Sequence, residues 1–179
     1  MKGKIISAIL IACTMLFTGC SKDSKDSIPG SYTYKISGTV TLMATQLAGL
    51  DAATLAAYKA AGIAVDPVVV GLYPEQGQMH ILEDGDNFIV TFNDLLGNAD
   101  VTSATIDGGT ITLAGTDMKA AQLTDGNNKI GAGIVVFGGS GKKYDDMLLI
   151  DMQYQGQFIV NNISMTVVAS DVNCVAQAN

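Results

Sequence analysis

The 179-residue chain has no arginine and no tryptophan, a single histidine, and three cysteines. Each shortage excludes something. Planar, bidentate recognition of phosphates and guanine edges relies on arginine. Affinity for nucleic acid rests largely on phosphate neutralisation. A chain of net charge −7 and pI near 4.4 without arginine is therefore expected to bind no nucleic acid. Without tryptophan, stacking on a ligand falls to six tyrosines. A Ser–His–Asp or Cys–His constellation would have to be built on His80. A zinc site of the His/Cys type would lack ligands. No dinucleotide fingerprint or catalytic motif set occurs, so the expectation is a non-enzyme without cofactor or metal. Charged residues make up only 15%, which argues against a highly charged disordered body.

Long apolar runs are also missing. Residues 5–17 are apolar, follow Lys2 and Lys4, and lead through small residues to Cys20. A membrane-spanning helix needs about 20 apolar residues, so this segment reads as a signal peptide. Its end, Phe17-Thr18-Gly19-Cys20, resembles a bacterial lipobox, with Phe17 where leucine is usual. The resemblance implies cleavage before Cys20 and acylation of its thiol and amine, which makes the lipid bilayer a partner. Several acyl chains hold a membrane firmly where one binds marginally.

Residues 21–27 are polar and repetitive, the composition of a flexible tether. Asp23 and Asp26 resemble the export signal of surface lipoproteins in Gram-negative gut anaerobes. The expected location is the outer membrane, lipid-anchored and exposed at the cell surface, with a periplasm-facing position as the alternative. The expected organisation is a signal peptide (1–19), a lipidated cysteine with its flexible tether (20–29), and one β-rich domain (30–179). Cleavage would leave 179 − 19 = 160 residues with a side-chain charge of 8 − 17 = −9. Cys174 would remain as the only free thiol, so stability must come from a buried core rather than a disulfide.

The body reads as strands. Residues 31–42 alternate, with Tyr32, Tyr34, Ile36, Val40 and Leu42 on one face. Further strands are expected at 68–73, 78–82, 87–93, 101–106, 110–114 and 130–137. Asp84-Gly85-Asp86 and Asp107-Gly108-Gly109 are hairpin signals, because Asp-Gly supplies positive φ cheaply. Gly138-Gly139-Ser140-Gly141 reads as a turn. Residues 144–154 and 157–170 read as a long pair about Gln155-Gly156. Leu148, Ile150, Met152 and Tyr154 line one face of the first; Ile159, Ile163, Met165 and Val167 line one face of the second. Residues 44–64 break the pattern with nine alanines. There Asp51 is a good N-cap for a helix over 52–61 and Gly62 a good terminator. Its narrow apolar stripe suggests a helix lying against a sheet or over an opening.

The fold class is therefore mainly β: an antiparallel barrel or sandwich of eight to nine strands with one Ala-rich helix. The run of hairpins after a lipobox, opening with Gly30-Ser31-Tyr32-Thr33-Tyr34 and continuing through 87–93 and 101–113, resembles the calycin-like (lipocalin-like) β-barrel lipoproteins. The lipocalin Gly-x-Trp motif is absent, and the Ala-rich helix is a second departure. Long curved strands with a helix also resemble the bactericidal permeability-increasing family.

The acidic clusters at 83–87 and 143–146 supply hard oxygens of the kind calcium takes, but turn chemistry accounts for the first and a solvated strand start for the second. Asp151 falls opposite an apolar face and is expected in solvent. His80 reads as an ordinary strand histidine. Six methionines remain after signal removal, and methionine adapts to apolar ligands. Tyr32, Tyr34, Phe88, Phe92, Met152 and Tyr154 are the candidate ligand-binding residues; filling of the core is the competing explanation. The leading expectation is a non-catalytic lipoprotein that binds an apolar or amphipathic small molecule. The alternative is a surface structural or protein-interaction module without a small ligand. A carboxylate-based hydrolase ranks third.

Overall fold

The computed structural model describes residues 27–179; the expected signal peptide, Cys20 and most of the tether lie outside the described residues. Nine strands and one helix follow in the order β1 (Gly30–Ala44), α1 (Ala52–Ala60), β2 (Val68–Leu72), β3 (Glu75–Asp84), β4 (Asn87–Asp94), β5 (Ala99–Asp107), β6 (Thr110–Asp125), β7 (Asn128–Tyr144), β8 (Met147–Val160) and β9 (Ile163–Ala178). All pairings are antiparallel, in a single sheet that closes when β9 pairs with β1 along Tyr32–Ala178 to Ala44–Met165. The fold is mainly β, a barrel rather than a sandwich.

The ring is not uniform along its axis. One edge of β1 carries β3 along residues 30–36 and β2 along residues 39–42. One edge of β6 carries β5 along residues 110–113 and β2 at Thr124 and Leu123. At the end where β1 begins, the wall therefore runs β1-β3-β4-β5-β6-β7-β8-β9, eight strands. At the far end the short β2 stands in for β3, β4 and β5, which leaves six. Barrel diameter grows with strand number, so the barrel tapers, and the wall forks where the two closures meet.

A bulge marks the fork. Leu113 pairs with Gly139 and Asp117 with Phe137, so residues 114–116 of β6 face the single Gly138 of β7. Gly115 takes φ +70°, and a Cβ on Gly138 would come within 2.8 Å of its Cα. Two glycines in contact let β6 bend away from β5 at the point where their pairing ends.

The interior is packed. Tyr34 meets Phe92 edge-to-face at 5.2 Å, and Phe92 meets Phe137 at 6.1 Å. Around them lie Val40, Leu42, Met79, Ile81, Leu148 and Cys174, all buried. Residues 27–29, expected as the end of the flexible tether, belong to the barrel. Ile28 is in the core, its carbonyl accepts from the Tyr32 hydroxyl, and Lys143 Nζ donates to the Ser27 carbonyl at 2.7 Å.

Several expected boundaries shift. Gly138–Gly141 is not a turn; β7 runs through it. A Cβ at Gly139 would meet the Asp151 carbonyl oxygen at 2.3 Å, so glycine is required for β7 to cross closely over β8. Gln155-Gly156 is likewise inside β8. The hairpin lies at Asn161-Asn162, with φ values of 49° and 64°, the left-handed pair that a two-residue loop needs. Ile159 consequently faces outward, Ile163 shares the parity of Met165 and Val167 but is exposed at the start of β9, and Met165 and Val167 pack inward. Asp145-Asp146 is a hairpin loop between β7 and β8 rather than a strand start. The helix is capped as expected, with Asp51 Oδ1 accepting from the Ala53 and Thr54 N–H groups. It buries none of its residues, so it neither lies on the sheet nor fills an opening.

Candidate functional site

The fork leaves an opening in the wall. β2 ends at Leu72, and the Tyr73 N–H donates to the Gln122 carbonyl of β6 at 2.8 Å. Pro74 has no N–H to continue that ladder, and the chain turns away into β3. Between this corner, the β4–β5 turn and the middle of β6 lies a cleft of about 470 Å³. Apolar groups dominate its wall, including Ile36, Leu72, Pro74, Leu95 and Ala121. Ile36 and Tyr154 belong to the barrel interior, so the cleft reaches through the wall into the core.

A charged cluster lies behind its floor and reaches it through Glu75. Lys119 is 3% exposed, whereas its neighbour Met118 is 69% exposed. That inverts the usual order of burial. A one-residue slip of β6 would exchange the two, but Ile111, Leu113 and Leu123 are buried on the same parity as Lys119 and hold the register. The ammonium lies 2.6 Å from Glu75 Oε2 and 3.1 Å from Asp100 Oδ2. Its remaining surroundings are the rings of Phe137 and Phe92, with centroids at 5.5 and 6.0 Å. The other oxygen of Glu75 accepts from the Tyr34 hydroxyl at 2.7 Å. Both carboxylates keep about a quarter of their surface exposed, and Glu75 lines the cleft.

The tyrosines record this environment. Burial, then the hydrogen bond and charge of Glu75, then the charges of Asp94 and Asp100, push the Tyr34 hydroxyl far above its ordinary value. Burial, then the charges of Glu75 and Asp100, does the same to Tyr154. Both are neutral donors at any physiological pH. Cys174 is also buried, and burial followed by the charge of Glu75 pushes its thiol up to about 12. At the mouth, the Lys129 ammonium lies 4.5 Å over the Tyr73 ring. Asp94 holds the β4–β5 turn there: Oδ1 accepts from the Leu96 and Asn98 N–H groups at 2.8 Å, and Oδ2 from Asn98 Nδ2 at 2.7 Å. Among the described residues no group of three metal-ligating side chains forms.

The sequence candidates divide around this geometry. Tyr32, Tyr34, Phe92, Met152 and Tyr154 are buried in the core, and Phe88 is half-buried against it. Of these, Tyr154 lines the cleft and Tyr34 touches its floor through Glu75. Tyr32, Phe88, Phe92 and Met152 are not on its surface. Cys20 lies outside the described residues. His80 is half-buried on the outer wall, where Nδ1 lies 2.9 Å from Ser31 Oγ. Lys119, Glu75 and Asp100 escaped the sequence reading. The available signal was parity: a strand carried on past Ala114 to the apolar Leu123 puts Lys119 inside. Comparison with known proteins returns no relative. No family model, curated protein or solved structure significantly matches this chain.

Proposed function

We propose that this protein is a lipoprotein anchored to the outer membrane through acylated Cys20, and that its barrel binds an amphipathic small molecule in the cleft at the fork without transforming it. The observation that carries the reading is the cleft itself. It has the volume of a small-molecule site, mostly apolar walls, and a few convergent polar groups at one end. The eight-strand up-and-down closure supports the calycin-like resemblance. The fork and β2 set it apart from a plain barrel of that kind. A binding role is favoured over chemistry because, among the described residues, the cleft lining includes no serine, cysteine or histidine to act as nucleophile or base. Asp23 and Asp26 after Cys20 favour the cell surface over a periplasm-facing position.

The test is native mass spectrometry of a fragment of residues 21–179, purified without detergent, before and after denaturation and solvent extraction. A reproducible excess mass that leaves on denaturation is the expected result. A clean apo mass, with no thermal shift across fatty acids, bile acids, haem and aliphatic amines, would overturn it. A second reading has its own support. Met118, Ile134 and Ile159 form an exposed apolar diagonal on the outer wall of β6, β7 and β8, at 69%, 56% and 54% exposure. That surface fits a protein-interaction module, and the apo outcome would shift the assignment to it.

A further inference from the structure

We infer that the ligand is an amphipathic organic cation, an aliphatic chain carrying an ammonium group, whose head is held by Glu75 and the hydroxyl of Tyr154, with the charge of Asp100 behind them. The inference rests on the cleft being the binding site. Two observations carry it independently.

The first is charge. Glu75 lines the floor, and behind it Lys119 brings one positive charge against the two negative ones of Glu75 and Asp100, both within 3.1 Å of it. Lys129, the other cation of the cleft, is at the mouth over Tyr73. The floor therefore keeps a negative surplus in a mostly apolar wall, where water screens it poorly. A second ammonium beside Glu75 would balance that surplus. A carboxylate head would meet two anions and find Lys119 already saturated by them.

The second is an idle donor and acceptor. Tyr154 is only 4% exposed and lines the cleft. Its backbone N–H donates to Ser170 Oγ, yet its hydroxyl has no hydrogen-bond partner among the described residues. Buried polar groups are normally paired. No buried side-chain polar atom without a partner is fully sealed from solvent here, so this hydroxyl faces the cleft. Its oxygen can accept from an ammonium N–H while Glu75 neutralises the charge. Chemistry of this kind prefers a primary ammonium to a quaternary one, because only the former donates hydrogen bonds.

The experiment uses the full chain in a neutral maltoside detergent and four probes that share an unbranched six-carbon chain: hexylammonium, hexyltrimethylammonium, hexanoate and hexanol. Affinities are measured by calorimetry and by ligand-observed NMR at low and high salt. Hexylammonium is expected to bind at least about tenfold more tightly than hexanoate or hexanol, and to weaken with salt. Tyr154→Phe, which removes a hydroxyl that the fold does not use, is expected to reduce hexylammonium affinity about threefold to tenfold and to leave hexanol unchanged. Asp100→Asn serves as the second variant, with Cys174 protection reporting that the barrel is intact. Equal binding of all four probes, abolished by the cleft-filling Ala121→Phe, would overturn the cation and keep the cleft. A preference for hexanoate would overturn it as well. Binding of none would remove the cleft reading and this inference together.

Discussion

The two ends of this barrel obey opposite rules of burial. Where β1 begins, eight strands close completely, and the interior holds Tyr32, Met79, Ile81, Ile150 and Cys174 without a single charge. At the fork, the same wall is missing a partner for the middle of β6, and the interior holds an ammonium and two carboxylates. A closed ladder leaves water no access, so only apolar groups or fully bonded hydroxyls are affordable there. An interrupted ladder admits water to one side of each carboxylate, which lowers the cost of keeping Lys119 charged. The contrast says that charge inside a small barrel follows gaps in hydrogen bonding between strands.

The largest loss is expected from Phe92→Ala, on the boundary between the closed end and the fork, where the ring also lies 6.0 Å from the Lys119 ammonium. Phe92 links Tyr34 to Phe137 in the aromatic stack and is 1% exposed. Its truncation is expected to cost about 3–5 kcal/mol in denaturant unfolding. Cys174 gives an independent readout. A buried thiol with its pKa pushed up to about 12 is not alkylated from the native state near neutral pH, so its labelling reports opening of the barrel. Phe92→Ala should accelerate that labelling by several orders of magnitude; an unchanged rate would mean that the aromatic stack is not what closes the barrel.

At the fork, Glu75→Ala is expected to cost somewhat less, about 3 kcal/mol. It leaves the Tyr34 hydroxyl without its acceptor and Lys119 with Asp100 alone. The Ala variant of Asp100 should be milder, since its contact to Lys119 is longer and it supports no second group. If the two variants proved equal, Tyr34 would contribute nothing, and the distinction drawn between the partners of Lys119 would fail.

The closed end was the more legible in the sequence, for a physical reason. Period-two alternation marks a strand with one dry face; residues 31–42 follow it except at Gly38, and Leu148, Ile150, Met152 and Tyr154 keep it although Met147 and Leu149 on the outer face are apolar too. The hairpins at Gly85 and Gly108-Gly109 were readable because glycine there takes positive φ in open space. Glycines 138, 139 and 141 looked the same in sequence but serve close strand contact, which depends on neighbours distant along the chain. The Asn161-Asn162 turn lacked glycine and went unseen. Of the site, only Tyr34 and Tyr154 were marked. Lys119, Glu75 and Asp100 come from β6, β3 and β5, and nothing local signals that three charges so far apart in sequence share one interior. The apolar residues were thus visible by pattern, and the charged ones only by topology.

A smaller effect sharpens the comparison at the rim of the cleft. Asp94→Ala removes three accepted hydrogen bonds from the β4–β5 turn and is expected to cost about 1 kcal/mol. The Asn98 side chain, then the backbone N–H groups of the turn, hold the Asp94 carboxyl below its ordinary value of 3.8. A depressed folded value means that the unfolded state binds the proton first. The stabilisation is therefore full above pH 3.8 and fades as pH falls toward the folded value. Wild type should lose this increment on acidification and Asp94→Asn should not, which a pair of urea titrations at pH 6 and pH 3 would resolve.

The smallest effect belongs to the helix, which stands outside both regimes. Asp51 accepts the N–H groups of Ala53 and Thr54 and the hydroxyl of Thr54, all at an exposed helix end. Nothing in α1 is buried, and its one ion pair among the described residues, Lys59 with Asp66, is largely in solvent. Surface pairs of this kind contribute little. Asp51→Ala is expected to fray the helix, seen as a small loss of helical circular dichroism and faster amide exchange at residues 53–54, while the melting temperature and Cys174 protection stay unchanged. The helix would then be an appendage carried on the connection between β1 and β2. A fall in melting temperature comparable with that of Asp94→Ala would instead tie the helix to β2, the strand that makes the narrow closure and hence the fork.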